Sequence, residues 1–172
     1  MARDLTLIDF QPDDLSALLA TAHKIGRDRN GWINVRPWPI DDGDGSDRLT
    51  ELSATPPEAP VGLFARWRVV VLAGTWVPGK AGRNGAEPAS VGLQHPAGRF
   101  AVRQLRDAGS PVPEGWRVVS DNARRGLVLS VPDGDGGAVD HVDEILRWLL
   151  VAGAALAPEQ ITGRWRAEIH RR

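Results

Sequence analysis

An α+β domain with a mixed or mostly antiparallel sheet and about three helices packed on it is the fold class this sequence predicts. Three observations carry the prediction. Short stretches of period-two alternation are interleaved with three stretches of helical period. Two of the alternating stretches, 116–120 and 126–131, follow each other with only a short polar turn between them, which makes a hairpin and not a parallel crossover. The chain has 172 residues, 42% apolar and 25% charged, enough for one domain over 1–172 with its own core.

The elements follow in order. Leu5, Leu7 and Phe10 mark a first strand by alternation. Pro12 then stands where a helix favours its first residue, and Asp13 and Asp14 suit the positive end of the helix dipole. Leu15, Leu18, Leu19, Ala22 and Ile25 repeat at helical spacing until Gly26, which predicts the stop. Trp32, Val35 and Trp38 lie in a Pro-interrupted extended stretch. The segment 41–60, with its acidic, Gly-rich and Pro-rich runs, reads as long loop.

Residues 64–77 form the strongest predicted strand, apolar in the middle and so buried on both faces. The Gly-rich segment 79–92 reads as a second long loop, of the kind that often carries function. Pro96 opens a second helix with Phe100, Ala101, Leu105 and Ala108 on its inner face and Gly109 at its end. After the hairpin, 133–137 is a turn, and 138–157 is the longest helix. Its second half is apolar all round, which requires burial inside the domain or in a subunit interface. Residues 162–170 close the chain as a strand.

Composition excludes several classes of function. There is no cysteine, so disulfides, thiolate catalysis and Cys-based zinc sites are ruled out. The net charge of −1 provides no global field toward nucleic acid or anionic membrane. Residues 1–10 lack the apolar run of a signal peptide, and no apolar run approaches the roughly 20 residues that span a bilayer. No membrane partner and a cytoplasmic location are therefore expected. Lys24 and Lys80 are the two lysines among 21 basic residues. With the Ala, Gly, Pro and Val usage, that bias points to a GC-rich bacterial genome. Seven tryptophans without a tyrosine supply large core or interface anchors.

Each motif-like pattern fails on a named residue. Gly74-Thr75-Trp76-Val77-Pro78-Gly79-Lys80 has phosphate-loop spacing. However, Ala81 stands where a Ser or Thr should bind magnesium, Pro78 removes a backbone donor, and Gly82 to Pro88 cannot hold the required helix. Asp133, Asp135 and Glu144 match positions 1, 3 and 12 of a calcium loop, but Ala138 stands where that loop needs Gly. No two of His23, His95, His141 and His170 have the i, i+4 spacing of a helical metal pair, and no Gly-x-Ser-x-Gly elbow is present. No metal or cofactor is expected. His95, which follows the predicted loop and precedes Pro96, is the single best candidate for acid–base work.

The arginines are more suggestive as a group. Arg66-Trp67-Arg68 and Arg164-Trp165-Arg166 each place two arginines on one strand face and a tryptophan on the other. Trp116-Arg117 echoes them, Arg99, Arg103 and Arg106 stripe the second helix, and Arg124 and Arg125 crown the hairpin. If Arg66, Arg68, Arg164 and Arg166 converge, they can bind phosphate or carboxylate, or follow a nucleic-acid backbone. If they do not, they form a solvated face balanced by the 22 acids.

Three readings follow, in this order. The first is a non-catalytic interaction or regulatory protein, a homodimer through the apolar half of the last helix or through a sheet edge. The second is a binder of phosphorylated ligand or nucleic acid through the arginine-bearing strands. The third is a small enzyme with a site near His95.

Overall fold

Alternation along the last strand shows how the molecule is layered. Trp165, Ala167 and Ile169 are buried, whereas Arg166, Glu168 and His170 between them are only half-buried. Successive side chains of a strand point to opposite faces, so one face of the sheet is sealed and the other is open. The computed structural model describes residues 4–39, 72–82, 85–95, 100–122, 125–132, 141–157 and 161–171. Within them the order is β1 (Asp4–Phe10), α1 (Ser16–Asp28), β2 (Trp32–Pro39), β3 (Ala73–Val77), β4 (Lys80–Gly82), β5 (Gly85–Glu87) and β6 (Ala89–Gln94). There follow α2 (Ala101–Asp107), β7 (Arg117–Asn122), β8 (Gly126–Val131), α3 (Val142–Leu156) and β9 (Ile161–Arg171).

Seven strands form one sheet in the order β1-β9-β2-β3-β6-β8-β7, and β4 pairs with β5 in a separate ribbon. Every pairing is antiparallel. Together with the three helices described, this is the α+β architecture the sequence predicts, narrowed from mixed or mostly antiparallel to antiparallel throughout.

All three helices lie on the sealed face. α3 packs on β3 and β6 and touches both α1 and α2, α1 reaches β1, and α2 covers β7 and β8. In the apolar half of α3, Trp148, Leu149, Leu150, Ala152, Gly153 and Leu156 are sealed within this single chain, whereas Val151, Ala154 and Ala155 are exposed. The domain's own core thus meets one side of this segment. Close approach of α3 depends on two glycines. A Cβ on Gly153 would lie 2.9 Å from the Trp165 ring, and one on Gly74 would meet Val35 and Leu149 at 2.9 and 3.1 Å. His23 on α1 meets Asp143 on α3 at 2.8 Å and joins the two helices at the surface.

The structure corrects four boundaries. α1 begins at Ser16, not at Pro12, because residues 11–14 make a tight turn with the Asp14 N–H donating to the Gln11 carbonyl. The Ser16 N–H and hydroxyl both donate to the Asp14 carboxylate, holding its pKa below the ordinary value. The helix also runs past the buried Gly26 and ends at Arg29 in the left-handed region, followed by Gly31 at φ 130°. The 79–92 segment is not a long loop: it holds the β4–β5 ribbon and all but the end of β6. In β6, Ala89, Val91 and Leu93 are buried in alternation. α2 begins only at Ala101, and Phe100, expected on its inner face, is 67% exposed. The predicted loop 41–60, the predicted turn 133–137 and the 64–71 part of the predicted strand lie outside the described residues.

Candidate functional site

Register partners share a face of the sheet, so the open face can be read row by row. In one row Asp9 of β1 faces Arg166 of β9, which faces Arg36 of β2. In the next, Leu7, Glu168, Asn34 and Thr75 follow across β1, β9, β2 and β3, and a third holds Leu5, His170 and Trp32.

These rows interlock. Arg166 Nε and Nη2 donate to the two carboxylate oxygens of Asp9 at 2.7 and 3.1 Å, a fork geometry. Arg36 Nη2 meets Glu168 at 2.7 Å, while its buried Nε has no partner. Thr75 donates its hydroxyl to Asn34 Oδ1 at 2.9 Å, which leaves Asn34 Nδ2 to donate to His170 Nε2 at 3.2 Å. An imidazole that accepts at Nε2 carries its proton at Nδ1. The His170 ring stacks on Trp32 with centroids 4.6 Å apart and planes 9° from parallel. None of these contacts was legible beforehand, because Asn34 and His170 are 136 residues apart. The available signal was the alternation of 32–36 with polar side chains at every second position.

Of the predicted arginine cluster, Arg164, Arg166 and Arg125 lie among the described residues. Arg164 and Arg166 share the open face of β9, but Arg166 is matched by Asp9 and the neighbouring Arg36 by Glu168. Arg125 lies at the β7–β8 turn and Arg117 on β7. Five strand steps separate β9 from β7, about 24 Å at the ordinary strand spacing. Arg66, Arg68, Arg99 and Arg124 lie outside the described residues. Among the described residues, Arg166 and Arg36 alternate with Asp9 and Glu168 in a charge-paired ladder.

His95 follows β6 on the sealed face and is 2% exposed, and neither ring nitrogen has a hydrogen-bond partner. Burial lowers its pKa, and the nearby Asp121 carboxylate raises it by a smaller amount. The phosphate-loop spacing also has a structural explanation. Gly74 sits in mid-strand beneath α3, and a Cβ on Gly79 would come within 2.4 Å of the Glu87 carbonyl oxygen. Among the described residues, no group of three metal-ligating side chains assembles and no helix is long and apolar enough to cross a membrane.

The feature that sequence reading missed is the contrast between the two sheet edges. β1 runs through seven consecutive pairs with β9 without a register shift, and nothing among the described residues pairs with its outer side. On its open face Leu5 and Leu7 are 52% and 51% exposed. β7, the opposite edge, is bulged between Val118 and Ser120. Bulges, lysines and prolines guard natural edge strands. β7 has such a bulge, whereas β1 (sequence DLTLIDF) is regular, has no lysine or proline and bears charge at Asp4 and Asp9.

Comparison with known protein families, with curated proteins and with solved structures returns no match.

Proposed function

We propose that this protein is a non-catalytic interaction protein of the bacterial cytosol that works by accepting a partner strand along β1. The observation that carries the reading is the regular β1 edge, with which no described strand pairs on the side away from β9. Strand addition needs a row of free backbone donors and acceptors for affinity and alternating side chains for specificity. β1 offers a regular seven-residue edge, and Leu5 and Leu7 offer the alternating apolar contacts. The alternatives have weaker support. His95 is sealed, and Arg166 on β9 and Arg36 on β2 are matched by acids.

The test is an NMR titration of the full chain with a synthetic peptide of residues 4–10. Saturable shifts confined to β1 and its open-face neighbours, absent in Leu7→Lys, are expected. No binding, or shifts centred on another element, would overturn the reading.

A further inference from the structure

Resting on that reading, we infer that the strand β1 accepts is β1 of a second copy, paired antiparallel about a two-fold axis through Thr6. The exposed Leu5 and Leu7, the regular β1 register and the bulge in β7 favour a second copy in this register, for three reasons. First, pairing about Thr6 sets Leu5 of each copy opposite Leu7 of the other on the open face. The four exposed leucines then cover one another, and Thr6 meets Thr6, a favourable cross-strand pair. Pairing about Leu7 instead would set Leu7 against Leu7 but Leu5 against Asp9, so that only one of the two exposed leucines of each copy would meet another leucine.

Second, the two-fold is normal to the sheet, so both helix layers fall on one side and both open faces on the other. Third, an isologous β1–β1 contact uses the regular edge of each copy and leaves the bulged β7 edges at the two ends of the described sheet. The assembly closes at two, whereas β1-to-β7 contacts would propagate without limit.

The absence of cysteine from the chain makes disulfide trapping a clean test. Residues opposed in an antiparallel pair have Cα atoms about 4.5–5.5 Å apart, within disulfide range. Three single variants, Thr6→Cys, Leu7→Cys and the helix-surface control Ala20→Cys, are oxidised at micromolar concentration, and covalent dimer is timed. Thr6→Cys should cross-link about a hundredfold faster than Ala20→Cys, since thiols held together meet at an effective concentration of order millimolar. Leu7→Cys should resemble the control.

Fast cross-linking of Leu7→Cys with a slow Thr6→Cys would overturn the register. Control-like rates for both, with the wild-type chain monomeric in sedimentation up to near-millimolar concentration, would overturn the second copy as occupant. In that last case the peptide titration keeps the two claims apart. If the 4–10 peptide still binds β1, strand addition stands and only the self-pairing fails.

Discussion

Asp121 on β7 caps the start of α2: its two carboxylate oxygens accept the N–H groups of Ala101 and Val102 at 3.0 and 3.2 Å. The helix has no side-chain cap of its own, because the residue at its N-cap is Phe100, held in the left-handed region at φ 69°. A helix of seven residues has little independent stability, so α2 depends on a strand that follows it in sequence. Asp121→Ala should cost about 1–2 kcal/mol in denaturant unfolding, the range for loss of a good cap. Amide exchange should accelerate first in α2. Asp121→Asn keeps an acceptor and should lose less.

Near that cap, His95 supplies a pH dependence whose sign can be worked out. Burial lowers its pKa below the ordinary 6.5, so as pH falls the unfolded chain takes up the proton before the folded one. Above about pH 6.5 both states carry neutral imidazole and the group contributes no slope. Below it, stability falls by up to about 1.4 kcal/mol per pH unit until the folded pKa is reached. His95→Leu should remove this component from the difference between pH 7 and pH 5. Asp121→Asn should enlarge it, because the Asp121 charge partly supports the protonated form. Identical pH profiles for wild type and His95→Leu would refute this assignment.

Much of the fold was legible because its signals are local. The alternation in 4–10 and 161–171 and the helical spacing in 15–25 and 142–156 depend only on neighbours in sequence. The β4–β5 ribbon and β6 were missed because glycines at 79, 82, 85 and 92 imitate loop composition and hide the inward triplet Ala89, Val91 and Leu93. The candidate site was less legible for a different reason. Whether Leu5 and Leu7 face a neighbouring strand or solvent depends on β1 standing at the edge beside β9, a pairing between the two ends of the chain that no local pattern encodes.

Close packing of α3 on the sheet predicts an inverted propensity effect. A side chain with a Cβ normally improves a helix interior over glycine. At Gly153 it would press on the Trp165 ring, which is 1% exposed and enclosed by the core. Gly153→Val should therefore destabilise the protein by about 1–3 kcal/mol in urea unfolding, as overpacking does. A neutral or stabilised variant would show that the ring can move aside.

On the open face, Asn34 is held at both ends by Thr75 and His170. Thr75→Val keeps the shape but removes the donor to Asn34 Oδ1, and it should cost about 1 kcal/mol. It also frees the amide to turn over. Nitrogen-15 shifts of the His170 ring should show the Nδ1–H form in wild type and a mixture of tautomers in the variant. An unchanged ring spectrum would mean that Asn34 is not what fixes the tautomer.

The central claim, strand addition at β1 by a second copy, is tested most directly by hydrogen exchange at the β1 amides that point away from β9. Strong protection of these amides is expected at high chain concentration, lost on dilution and lost at every concentration in Leu7→Lys. Fast exchange of the same amides at all concentrations, beside persistent protection of the amides that bond to β9, would contradict it.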